Sequence, residues 1–241
     1  MSKSISINMK FWDDGQPDST RIRNVMFSFE KLKHLSKFLS ENGLIVNTTL
    51  YDFSPEQIIK ESKHIPYPLG VYKKAEKTNL ILKEQSDYDF FMMVDCDAFF
   101  YENDYNDLLN IINNLENGDV ITFDLAKLND NISEYIIDGD FLVSNADWSY
   151  AYSGKRENGP LNGYVGGLGG VYICDTNLLQ KLGGFNKEYV GWGGEDGDML
   201  DRIFTSGMVY KIKPTKKFAP FHLPHFSDWG NINYIKRFKD E

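Results

Sequence analysis

A chain of 241 residues with 41% hydrophobic and 15% aromatic side chains has material for one ordinary α/β core, which excludes a disordered protein. The formal net charge of -9 excludes a binder of the nucleic-acid backbone, because that role needs a basic face that survives competition with salt. Two cysteines, Cys96 and Cys174, each inside an apolar run, imply reduced core thiols and no disulfide framework.

The first seven residues carry no apolar run of signal-peptide type, and no stretch approaches the roughly 18 apolar residues that span a bilayer. A cytoplasmic location is expected. Ser4 to Phe11 alternates apolar and polar residues as a strand does, ending near Lys10, and the run from Trp12 to Asp18 follows as a loop. From Val25 to Leu39, Phe29, Leu32, Leu35 and Leu39 keep helical spacing, and Glu41-Asn42-Gly43 supplies the stop. Leu44 to Phe53 is a second strand closing on Asp52, and Ser54-Pro55-Glu56 is expected to open a short helix. A helix over Tyr72 to Lys83 feeds the buried strand Phe90 to Val94; a helix at Asp107 to Leu115 and a strand at Asp119 to Leu125 follow. Farther on, a strand at Val171 to Cys174 leads to a helix at Asn177 to Leu182, and a last helix starts at Glu195. The aromatic and basic stretch Trp229 to Phe238 is the one candidate for a peripheral membrane contact. Strands alternating with helices predict one α/β domain with a mostly parallel sheet covered on both faces, whose ligands bind beyond the carboxyl ends of the strands. Asp52, Asp95 and Asp97 fall at such ends.

Asp95-Cys96-Asp97 follows five apolar residues, so two carboxylates emerge together where a buried strand ends. Unpaired carboxylates are costly there, and a divalent cation such as Mn²⁺ or Mg²⁺ would offset their charge while bridging to a diphosphate. The second signal is Gly191-Trp-Gly-Gly-Glu-Asp-Gly-Asp198, ahead of a helical pattern. Helix capping alone accounts for Glu195, Asp196 and Asp198, whose charges the helix dipole favours. It does not account for Trp192 between glycines, where an indole beside carboxylates suits a sugar: apolar ring face to indole, hydroxyl to carboxylate.

The block Gly191 to Arg202 resembles the signature of the β-1,4-galactosyltransferase family and its bacterial relatives. Asp95 and Asp97, the Gly-Gly pair at 169–170, Gly184-Phe185 and a late histidine follow the pattern of that GT-A group in the same order. The resemblance covers roughly Lys74 to His225. It implies a Rossmann-like GT-A fold over 1–241, with a nucleotide-sugar half at 1–125 and an acceptor-binding and catalytic half at 126–241. By this resemblance Asp97 would bind the metal directly, Asp95 would support ribose and metal, Asp196 would be the catalytic base and Glu195 would orient the acceptor. Lys74 and Asn79 resemble the basic-Ala…Asn helix beside the donor, and Gly170, Trp192, Gly193 and Gly194 would border the substrates. Gly197 departs from the family, which often carries a second Asp there.

Relatives place a metal-binding imidazole late in the chain, so His222 and His225 are the candidates, with His225 favoured; imidazole nitrogen is a competent ligand for Mn²⁺. Phe11, Trp12 and Asp52 end the first two strands, where a uracil would find an aromatic platform and a polar partner. The expected activity is transfer of a hexose (galactose, N-acetylgalactosamine or glucose) from a UDP-sugar to a carbohydrate acceptor with inversion, in glycan or polysaccharide synthesis. Two alternatives are a retaining enzyme resembling the polypeptide N-acetylgalactosaminyltransferases and a non-catalytic sugar- or nucleotide-binding module. Asp196, where the retaining enzymes usually carry Asn, favours inversion.

Overall fold

The first strand, β1 (Ser4–Phe11), places Ile5, Ile7 and Met9 on one face and Ser6, Asn8 and Lys10 on the other, and both faces are buried. The structure is a computed structural model that describes residues 2–12, 19–68, 73–123, 125–127, 168, 170–190, 194–206, 211–215 and 220–223. The apolar face of β1 packs against α1 (Ser19–Glu41) through Val25, Phe29, Leu32, Leu35 and Leu39. This helix begins six residues before the expected Val25.

From α1 the chain enters β2 (Ile45–Asp52), which runs parallel to β1 in register from Ser4 opposite Ile45 to Phe11 opposite Asp52. The helix expected at Ser54-Pro55-Glu56 is absent. The Asp52 carboxylate instead accepts hydrogen bonds from the amides of Ser54 (2.9 Å), Ile58 (2.7 Å) and Ile59 (3.0 Å), which organise the turn around a side chain. A two-residue strand, β3 (Lys63–His64), then pairs with the end of β2.

Helix α2 (Lys74–Glu84) covers the polar face of β1 and leads into β4 (Phe90–Asp95). Phe90 to Val94 can be apolar throughout because β4 lies between two other strands with both faces covered. A short strand β5 (Ala98–Phe99), helix α3 (Tyr105–Asn113), β6 (Asp119–Phe123) and β7 (Ala126–Lys127) follow. Then come β8 (Val171–Asp175), α4 (Thr176–Lys181), α5 (Glu195–Thr205), β9 (Lys211–Thr215) and β10 (Phe221–His222).

Among the described residues, seven strands form one sheet in the order β3-β2-β1-β4-β8-β6-β9. Its pairings are parallel except for β8, which is antiparallel to both β4 and β6. A small second sheet, β5-β10-β7, stands beyond the carboxyl end of β4. The sheet is therefore mixed and mostly parallel, as expected. One core cluster lies on the α1 and α3 face, and a second joins α2, α4 and α5 to the opposite face.

Candidate active site

Asp95 is the last residue of β4, and its amide donates to the Gly170 carbonyl at 2.9 Å. Gly170 has a φ of +90°, and a Cβ there would lie 2.6 Å from Leu125 Cδ1 and 3.6 Å from Asp95 Oδ2. Only glycine fits this crossing of backbone and side chains. Gly170 thus borders the carboxylate pair, the position at which a substrate contact was expected. Burial pushes the Asp95 carboxyl up; the Lys74 charge opposes this and the Asp97 charge adds to it.

Asp97 lies in the turn from β4 to β5. Antiparallel pairing of β5 with β10 sets His222 opposite Ala98, and the Leu223 amide donates to the Asp97 carbonyl at 2.8 Å. This pairing brings His222 Nε2 to 3.4 Å from Asp97 Oδ1. Of the two candidate histidines, His222 is the one that meets Asp97 among the described residues; His225 lies outside them. A carboxylate oxygen and an imidazole nitrogen converging in this way make an O/N donor pair that suits Mn²⁺. No group of three or more His, Cys, Asp or Glu able to hold a metal exists among the described residues. The pair fits a divalent ion whose remaining ligands are substrate oxygens or water.

The third side of the site is the N-terminus of α5. Gly194 precedes it with φ +86°, and Glu195 and Asp196 occupy the first turn, where exposed amides favour negative charge. Lys74, in the first turn of α2, reaches both carboxylates: its Nζ lies 2.9 Å from Glu195 Oε1 and 2.7 Å from Asp196 Oδ2. Lys74 and Glu195 are buried, whereas Asp196 keeps 18% of its side chain exposed. One cation thus ties the N-termini of two helices, and Asp196 is the member of the pair open to a reactant. Burial pushes the Asp196 carboxyl up to about 6; Lys74 pulls it down and Glu195 pushes it up. For Glu195, the Lys74 charge and hydrogen bond outweigh burial and hold its carboxyl below its usual value.

Lys10 joins this cluster and was not among the residues singled out from sequence. It is the cross-strand neighbour of Asp95, on the face of β1 that α2 covers, and its Nζ donates to Thr78 Oγ1 at 3.0 Å. Burial, with the Lys74 charge adding to it, brings the Lys10 ammonium down to about 8. The signal that could have found it is a lysine at the carboxyl end of a strand in an otherwise enclosed β-α-β unit.

Four expected donor contacts have other structural employment. Asp52 is fully buried with its carboxylate turned to the amides of 54–59. Asn79 accepts from the Phe185 amide and donates to the Phe185 carbonyl, both at 2.7 Å, so it fastens the loop after α4. Gly184, at φ +74°, sits so close to Asn79 that any Cβ would collide with the amide side chain. Phe11 packs in the first core cluster. Trp12 is buried in the second, with the Lys77 ammonium 4.7 Å from its ring centre, so neither ring presents an open platform. Trp192 and Gly193 lie outside the described residues.

Residues 151–226 match the family described as the N-terminal domain of galactosyltransferase. Human beta-1,4-galactosyltransferase 3 is 37% identical over 71 residues, 30% of this chain and 18% of that protein. Human beta-1,4-galactosyltransferase 2 is 43% identical over 49 residues, 20% of this chain and 12% of that protein. The S. aureus TarS 1-349 crystal structure superposes with a TM-score of 0.56 at 14% identity, over 92% of this chain and 60% of that one. Residues 151–226 are thus galactosyltransferase-like in sequence, and the fold is like that of TarS. The family match covers about a third of the chain, and the chain spans less than a fifth of the length of the human relatives it matches. The fold likeness extends over nearly the whole chain.

Proposed function

We propose that this chain is an inverting, metal-dependent glycosyltransferase that moves a hexose from a UDP-sugar to a carbohydrate acceptor in glycan or polysaccharide synthesis. The observation that carries the reading is the convergence of Asp95, Asp97 and His222 with Lys74, Glu195 and Asp196 at the carboxyl end of β4. Asp97 and His222 would hold a divalent ion that, when bound, supplies positive charge to the departing diphosphate.

In this mechanism the acceptor hydroxyl approaches Asp196, whose carboxylate is ionised at neutral pH and accepts its proton as the acceptor oxygen bonds to the anomeric carbon. The bond from that carbon to the diphosphate oxygen breaks, and UDP leaves with its electron pair. Lys74 holds Asp196 and Glu195 in place, and Glu195, whose Oε2 makes no hydrogen bond among the described residues, would orient the acceptor beside Asp196. An in-line displacement with one base yields inversion. Galactose, the sugar in the relatives' names, is the donor sugar of first choice.

The test is UDP release from UDP-galactose, UDP-N-acetylgalactosamine and UDP-glucose with Mn²⁺, Mg²⁺ or EDTA, using wild type, Asp97→Ala and Asp196→Asn. Turnover of one donor that depends on the metal and disappears in both variants is expected, with the product anomer inverted. A retained anomer would overturn the mechanism, and silence on every donor without UDP binding would overturn the donor assignment.

A further inference from the structure

Among the described residues, Lys10 is a buried cation without an ion-paired carboxylate. It is 7% exposed, and among the described residues its one hydrogen bond goes to Thr78 Oγ1, although an ammonium has three donors. Thr78 Oγ1 in turn donates to the Lys74 carbonyl at 2.9 Å, which fixes the hydroxyl, and no other group among the described residues takes Lys10's remaining donors. Unused donors on a buried charge are costly unless a ligand takes them.

Position decides which part of a ligand that is. Lys10 Nζ is held at Thr78 on α2, one turn along from Lys74, whose own Nζ reaches Glu195 and Asp196. Asp95, the cross-strand neighbour of Lys10, lies two residues before Asp97, which meets His222. The Asp97–His222 side suits the metal and the diphosphate. The side with Asp196, which takes the acceptor's proton next to the anomeric carbon, must then receive the transferred sugar, and this is where Lys10 lies.

We propose that Lys10 donates hydrogen bonds to ring hydroxyls of the transferred sugar and so helps to determine which hexose is accepted. The assignment rests on the UDP-sugar reading above, and it concerns a residue outside the segment 151–226 that matches the family.

The experiment compares binding of UDP with binding of UDP-galactose, UDP-N-acetylgalactosamine and UDP-glucose by calorimetry in Mn²⁺, for wild type, Lys10→Met and Lys10→Gln. Lys10→Met is expected to leave UDP affinity within about twofold and to weaken the preferred UDP-sugar about ten- to a hundredfold, the loss of a charged hydrogen bond. Retained UDP binding also reports that the variant is folded. Where Lys10→Met does not fold, Lys10→Gln keeps a neutral donor and shows a smaller loss in the same direction. Equal losses for UDP and UDP-sugar, or an unchanged UDP-sugar affinity, would overturn the assignment while leaving the transferase reading intact. Wild-type protein that binds neither UDP nor any UDP-sugar would overturn both.

Discussion

Asp196 combines a neighbouring cation at 2.7 Å with a carboxyl raised to about 6, and this combination sets how activity depends on pH. A base must be unprotonated to accept a proton, so kcat for sugar transfer should rise with pH through an inflection near 6 and level off above it. Lys74 holds the carboxyl down against burial, so Lys74→Met should move the inflection to higher pH. Asp196→Asn should lower kcat about 10²- to 10⁴-fold and remove the inflection. A profile in wild type that is flat from pH 5 to 8 would rule out Asp196 as the base. The carboxylates of this site were legible in the sequence because they stand at the end of an apolar run and before a helical pattern. The lysines were less so. Lys74 was found through its resemblance to a donor-side helix, and its role as a bridge between two helix N-termini depends on contacts 121 and 122 positions away. Lys10 was missed because alternation in β1 marks polar positions without telling that α2 buries them.

Asp52 shows how a strand end can use a carboxylate to hold its own loop. Three amides bonded to one side chain give a rigid corner between β2 and β3. Asn in place of Asp would turn an NH₂ group toward one or more of those amides, so Asp52→Asn should cost about 1–3 kcal/mol of stability, measured by urea unfolding. The affinity of the folded variant for UDP should stay within about twofold of wild type. A large loss of UDP affinity with unchanged stability would return Asp52 to the role of a base-reading residue. The same corner marks where sequence patterns stop being informative. Ser-Pro-Glu carries a helix-start signal, but the competing acceptor two residues upstream is a side chain and appears in no helical pattern. The longer strands and helices from Ile45 to Phe123 were otherwise located within two or three residues, since each carries its own periodicity, whereas the two-residue strands β3 and β5 are too short to carry one. The antiparallel direction of β8 was not legible, because an apolar run looks the same whichever way its neighbours run.

The whole fold carries buried ionisable groups of two kinds, and their opposing linkages predict where it is most stable. Burial lowers Lys10 to about 8 and Lys77, enclosed by the Trp12 and Tyr67 rings, to about 7. In the unfolded chain lysines keep their protons to about pH 10. Between about pH 7 and 10 the unfolded state therefore binds more protons at these two positions, and stability climbs with pH. Burial acts the other way on the thiols of Cys96 and Cys174 and on the phenols of Tyr51, Tyr105 and Tyr172, all of which are pushed up. Above about pH 9 the unfolded chain sheds those protons while the folded chain keeps them, so stability falls again. Without metal or nucleotide, in EDTA, the thermal midpoint should rise from pH 7 to about pH 8.5 and then drop. Lys77→Met should remove part of the rise and leave the alkaline drop in place, because it deletes one lysine and no acid. A midpoint that already falls between pH 7 and 8.5 would mean that both lysines stay charged inside the fold, held by carboxylates more strongly than their burial disfavours them.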